Sequence, residues 1–150
     1  MRTLFVILCI LPIAFSTVFN VSVEMSCDAA VDRWCYAVTL IEADFLIDDR
    51  VGRIMKNCTT TNSSDVQFSR NITYDVWNTE TYEIELKIEH NCTVHTQGPR
   101  FIKKDFGMFS VDKENVSIEW KTDLTDKGDK SPPKFWIKDT MNDILQNVPL

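Results

Sequence analysis

The chain has 150 residues, with 22 Asp and Glu against 16 Lys and Arg, for a formal net charge of −6. Nucleic acid needs clusters of Lys and Arg against its phosphates, so this balance argues against it, and weakly against anionic membranes. Two histidines, with no Gly-x-Ser-x-Gly, His-Glu-x-x-His or phosphate-loop motif, disfavour an enzyme.

In chain order, Met1-Arg2 supplies one positive charge and residues 4–15 form an apolar run. That is the length of a signal-peptide core, not of a membrane span. Ala14 and Ser16 are small residues suited to a cut, so residues 1–16 read as a signal peptide cleaved after Ser16. Its loss removes only Arg2 and leaves 15 − 22 = −7 charges. No later run approaches the ~18 apolar residues of a span, and residues 144–150 carry no lipid-anchor signal. Residues 17–128 read as one domain and residues 129–150 as a tail.

The domain reads as strands. Val21, Val23 and Met25 alternate with Ser22, Glu24 and Ser26 ahead of Cys27. Residues 35–42 are almost continuously apolar or β-branched. Tyr36, Val38 and Leu40 take one face and Ala37, Thr39 and Ile41 the other, which predicts a central strand covered on both sides. Residues 53–61 are a weaker candidate, and Val66-Gln67-Phe68 predicts a short strand ended by Asn71.

Residues 81–90 alternate most clearly: Tyr82, Ile84, Leu86 and Ile88 against Glu83, Glu85, Lys87 and Glu89. Residues 101–111 are mixed, with Gly107 marking a bulge or bend. Val116, Ile118 and Trp120 alternate with Ser117, Glu119 and Lys121. Seven closely spaced strands predict an all-β antiparallel sandwich. Residues 123–133 are polar and breaker-rich, a domain end. Beyond them Ile137, Met141, Ile144, Leu145 and Val148 fall at helical spacing, which fits a short amphipathic helix or a frayed terminus.

Six of the nine asparagines stand in Asn-x-Ser/Thr acceptors: Asn20, Asn57, Asn62, Asn71, Asn91 and Asn115. Chance would place one or two, and the motif has meaning only in a secretory lumen. The chain therefore reads as a secreted, extracellular glycoprotein. Asn57 and Asn91 have a cysteine inside the motif, so early disulfide closure should hinder their glycosylation; Asn62, Asn71 and Asn115 should be occupied more often. Once Cys9 leaves with the signal, Cys27, Cys35, Cys58 and Cys92 remain, an even number suited to two disulfides.

Three features in order resemble the nematode transthyretin-like family of small secreted proteins. The first is the strand Val-Ser-Val-Glu-Met-Ser ending in Cys27. The second is Val38 to Asp44 followed by Asp48-Asp49. The third is Leu86-Lys87-Ile88-Glu89-His90-Asn91-Cys92. The similarity spans residues 20–126. It implies a transthyretin-like sandwich of seven or eight strands and an extracellular binding or signalling role, with no activity general to the family. In such an arrangement Cys35 pairs with Cys58 and Cys27 with Cys92; the rival is Cys27–Cys35 with Cys58–Cys92. One enzyme branch of the fold, the hydroxyisourate hydrolases, uses a C-terminal Tyr-Arg-Gly-Ser, whereas this chain ends Gln-Asn-Val-Pro-Leu.

No metal or cofactor is expected. His90-x-Cys92-x-x-His95 lacks a thiolate once Cys92 is oxidised. Glu42, Asp44, Asp48 and Asp49 lack EF-hand spacing and read as a solvated turn. Arg100, Lys103 and Lys104 read as a solvated strand face. The expected partner is an extracellular protein or cell-surface component, met by a monomer or weak dimer; the alternative is a carrier of a small apolar ligand. Glu83, Glu85 and Glu89 form an acidic stripe whose face should be wet. Trp34, Trp77, Trp120 and Trp136 are candidates for an exposed apolar patch, of which Trp120 and Trp136 join the stripe as binding candidates.

Overall fold

The structure, a computed structural model, describes residues 16–43, 49–53, 56–73, 81–95 and 98–130. The signal peptide before Ser16, Asp44, Asp48, Trp77, Trp136 and the expected C-terminal helix lie outside the described residues. Nine strands run in order: β1 (Ser16–Ser26), β2 (Trp34–Glu42), β3 (Asp49–Arg53), β4 (Asn57–Thr59), β5 (Ser63–Thr73), β6 (Thr81–His90), β7 (Arg100–Ser110), β8 (Asn115–Asp123) and the two-residue β9 (Asp129–Lys130). No helix occurs among the described residues.

These strands form two sheets. The smaller has the order β5-β1-β8; the larger has β3-β2-β6-β7-β9, with β4 also paired to β2. The fold is an all-β sandwich, as the alternation predicts. One pairing departs from the antiparallel rule: β1 and β8 run parallel, Val18 opposite Asn115 and Val23 opposite Trp120. Their separation in sequence permits it, because parallel neighbours need a long connection.

The alternation turns into layers. Phe19, Val21, Val23 and Met25 of β1 and Val116, Ile118 and Trp120 of β8 face Tyr36, Val38 and Leu40 of β2 and Tyr82, Ile84, Leu86 and Ile88 of β6, all in one buried cluster. Phe19 meets Tyr82 and Phe109 edge to face at 5.6 and 5.8 Å, the geometry that aromatic quadrupoles favour. The indole of Trp34 is fully buried and donates to the Thr61 carbonyl at 2.8 Å, so its one polar group is satisfied.

Boundaries differ from the sequence reading in several places: β1 begins at Ser16 rather than Val21, and β9 pairs with β7 in the segment read as a domain end. The weak strand at 53–61 is two short ones, β3 and β4. The strand at 66–68 is longer: β5 has 11 residues and passes through Asn71, because it pairs with β1 along its whole length. Gly107 does mark a bulge. The β6–β7 register shifts between Glu83 and Glu85, Gly107 takes φ +81°, and its N–H donates to the Asp105 carboxylate at 2.6 Å.

Two disulfides lock this frame. Cys27–Cys92 joins the end of β1 to the chain just after β6, and so joins the two sheets, with Cα atoms 5.9 Å apart. Cys35–Cys58 joins β2 to β4 within the larger sheet. The turn after β8 packs against the first of these. Leu124 N–H donates to the Ser26 carbonyl and Asp126 N–H to the Cys92 carbonyl. Gly128 ends that turn at φ +88°, where a Cβ would lie 2.2 Å from the Phe101 carbonyl oxygen. Only glycine fits this approach of the backbone to β7.

Candidate functional site

The outer face of the larger sheet is built from the odd-numbered residues of β2 and β6 and their partners on β7. Ala37, Glu89 and Phe101 share one row, Thr39, Lys87 and Lys103 the next, and Ile41, Glu85 and Asp105 the third. Past the bulge Glu83 stands opposite Met108. Lys103 Nζ reaches Glu85 at 2.8 Å, diagonally across the strands. Lys87 Nζ holds Glu89 at 2.9 Å and lies 4.7 Å over the Phe101 ring. Four carboxylates (Glu83, Glu85, Glu89, Asp105) thus meet two ammonium groups (Lys87, Lys103).

The expected wet stripe is only partly wet. Glu83 is exposed and Glu85 half-buried, but Glu89 is 4% exposed. Its burial is tolerable because Lys87 neutralises it at contact distance; an unpaired buried carboxylate would cost several kcal/mol. Ala37, Thr39 and Ile41 beside it are buried too, as a central strand covered on both sides requires. The accessible part of this face lies toward Glu83, Asp105 and Met108, the last 68% exposed.

Trp120 is corrected as well. It sits in the core at 9% exposure, edge-on to Phe106 at 6.3 Å, with Lys104 Nζ 5.9 Å above its ring. The strand alternation that made it visible also turned it inward. Of the basic residues on β7, Arg100 donates to the Gly128 carbonyl at 2.6 Å and Lys103 is held by Glu85, so neither belongs to a basic patch.

The six acceptor asparagines sort by geometry. Asn57 donates its Nδ2 to the Tyr36 hydroxyl at 3.3 Å and accepts from Cys58 N–H. Asn91 is half-buried and accepts from Cys35 N–H at 2.6 Å. Both side chains therefore serve the disulfide strands. Asn62 is exposed in the turn before β5, where its backbone carbonyl accepts from Cys27 N–H. Asn20, Asn71 and Asn115 are exposed together on the outer face of the smaller sheet. Asn71 and Asn115 flank Val18 on either side, and Asn20 is two residues further along β1. Sequence reading found each acceptor but missed this convergence, which depends on the β1–β8 pairing. By contrast β2, β3, β6 and β7 contain no asparagine.

One imidazole is deep in the fold. His90 is fully buried, and neither ring nitrogen has a hydrogen-bond partner. Burial lowers its pKa to about 4; the Lys127 backbone opposes the shift without reaching hydrogen-bond geometry, Arg100 adds to it, and Asp123 opposes it. Its neighbour in the chain, Cys92, is bonded to Cys27, and His95 is exposed. Among the described residues no three His, Cys, Asp or Glu side chains converge as metal ligands, and no helix is long and apolar enough to cross a membrane.

Sequence reading placed Lys103 on a solvated strand face but did not join it to the Glu85 stripe, and it missed Phe101, Asp105 and Met108 as parts of the charged face. Residues 101, 103 and 105 do alternate outward; the bulge at Gly107 then resets the phase for Met108.

No curated protein and no solved structure matches the chain. Residues 22–133, from within β1 to just past β9, match one family model. The chain belongs to the nematode family described as Caenorhabditis elegans protein of unknown function (DUF870).

Proposed function

We propose that this is a secreted, glycosylated extracellular binding or signalling protein of transthyretin-like type, which recognises a protein or cell-surface partner through the outer face of its larger sheet. The observation that carries the reading is the division of the surface. Three sugar acceptors stand on the outer face of the smaller sheet, while the four main strands of the larger sheet have none. Sugars would shield the smaller sheet, and the accessible end of the larger sheet, toward Glu83, Asp105 and Met108, carries no acceptor. On this side β6 and β7 carry four carboxylates against two ammonium groups, and the accessible end holds exposed Met108, a mixture suited to protein contact.

Two disulfides fit an oxidising compartment. The three stretches that carry the transthyretin-like resemblance also adjoin one another: β2 pairs with β6, and Cys27 is bonded to Cys92. An apolar carrier gains less support. Two surface depressions among the described residues, of about 440 and 350 Å³, lie on the outer face of the smaller sheet, and Ser is the commonest residue lining them, with Asn, Gln and Glu beside it. Apolar ligands need apolar walls.

An acidic face steers association more than it fixes affinity. Replacing Glu83→Gln and Glu85→Gln together should slow association of the labelled protein with cultured nematode cells at least about threefold at low ionic strength. The dependence of the rate on salt should flatten as well. An unchanged rate and salt dependence in a folded variant would remove the larger sheet's charges from recognition.

A further inference from the structure

We propose that Asn20 carries a sugar chain that lies down along the smaller sheet, in a polar trough built to receive it. This deepens the secreted-glycoprotein reading and rests on it. The trough follows from the residue sizes in successive rows. Along the central strand β1 the outward side chains beyond Val18 begin with Asn20 and Ser22. Asn20 is flanked by Ser69 and Ser117, and Ser22 by the longer Gln67 and Glu119. Small groups form the floor and longer ones the rim. The two depressions of this face adjoin at Ser22 and Gln67, which line both, and Asn20 lines the second.

The acceptor itself is poised. Asn20 is exposed, and its Oδ1 accepts a hydrogen bond from the Ser69 hydroxyl at 2.6 Å. That bond fixes the amide plane and leaves Nδ2 as the group turned to the ligand. In the secretory lumen Nδ2 attacks the anomeric carbon of a lipid-pyrophosphate-linked oligosaccharide. The N–C bond forms, the C–O bond to pyrophosphate breaks, Nδ2 loses one proton, and the lipid pyrophosphate departs.

The walls match a sugar chain in chemistry. Serine hydroxyls and the Gln67 amide donate and accept, and the Glu119 carboxylate accepts from hydroxyl groups in strong charge-assisted bonds. The neighbouring row closes the other direction. Asn71 and Asn115 sit on the strands flanking Val18, each about 5 Å from β1. Sugars on them crowd the space above Asn20 and press its own chain toward Ser22 and Gln67. Farther along, the Lys121–Glu24 ion pair, at 2.8 Å, crosses from β8 to β1 and offers further polar contacts.

The test uses the full chain secreted from a glycosylating host. Glycopeptide mass spectrometry gives occupancy at each acceptor, and peptide-N-glycosidase treatment of the folded protein gives a release rate at each. Asn20 is expected to be occupied and to release its sugar at least about tenfold more slowly than Asn115, with the difference gone after denaturation. Asn20→Gln should lower Tm by about 2–4 °C. Ser22→Ala, which removes the acceptor motif while keeping the Asn20–Ser69 bond, should do the same. Gln67→Arg, which fills the trough, should bring the Asn20 release rate up to that of Asn115. A bare Asn20 beside occupied Asn71 and Asn115, or equal release rates in the native protein, overturns the inference and leaves the secreted reading intact. Secreted protein with no acceptor occupied overturns both the inference and the glycoprotein part of the reading.

Discussion

Replacing Cys27 and Cys92 by alanine together should cost about 4 kcal/mol of folding stability, against about 3 kcal/mol for Cys35 and Cys58. The ranking comes first from loop length, 65 residues against 23, because a longer loop gives the unfolded chain more freedom to lose. Position adds to it. Cys35–Cys58 joins strands that the ladder already pairs. Cys27–Cys92 joins the two sheets, where Asp126 also holds Val94 and His95 N–H groups with its carboxylate. Small domains have only about 5–15 kcal/mol in all, so loss of the inter-sheet bond should leave the protein barely folded at 37 °C. Denaturant unfolding of both double variants measures this. A larger loss from the Cys35–Cys58 pair would contradict it.

Stability should also fall in mild acid because of His90. Above pH 6.5 its imidazole is neutral in both states and contributes no pH dependence. Between 6.5 and about 4 the unfolded chain binds a proton that the folded protein refuses, so each falling pH unit favours unfolding. The accumulated loss is about 3 kcal/mol by pH 4. The cause is burial of a ring with no hydrogen-bond partner, reinforced by Arg100. Carboxylates titrate in the same range, so the comparison is with His90→Leu. That variant should lose about 3 kcal/mol less than the natural protein between pH 7 and pH 4. Parallel pH profiles would mean that His90 binds its proton as readily in the fold as in the unfolded chain, and would contradict the lowered pKa.

Local patterning made the strands legible. The alternation in residues 81–90 reappears residue for residue as β6, and the doubly apolar residues 35–42 lie in a strand buried on both faces. What sequence could not carry was register. Val66-Gln67-Phe68 looks short because Ser69, Arg70 and Asn71 are polar, yet pairing with β1 extends the strand through them. Alternation revealed that Glu89 shares a face with Glu83, but not that Lys87 and a covered central strand would bury it. Trp120 shows the converse: alternation already set it in one series with Val116 and Ile118, and that series faces the core. The meeting of Asn20, Asn71 and Asn115 depends on a parallel pairing between strands about a hundred residues apart, which no local pattern encodes.

A sugar placed on the bare sheet tests the division of the surface most directly. Glu83→Asn with Glu85→Thr creates an acceptor on the accessible end of the larger sheet, at the small cost of one partly exposed ion pair with Lys103. Asn71→Gln removes a sugar from the opposite face. With both proteins folded and secreted, and the new acceptor occupied, binding to cultured nematode cells is measured beside the natural protein. The wedge variant should bind at least about tenfold more weakly, a loss of about 1.4 kcal/mol or more, and the Asn71 variant should bind unchanged. Full binding by the wedge variant, or its loss in the Asn71 variant, would contradict recognition through the larger sheet.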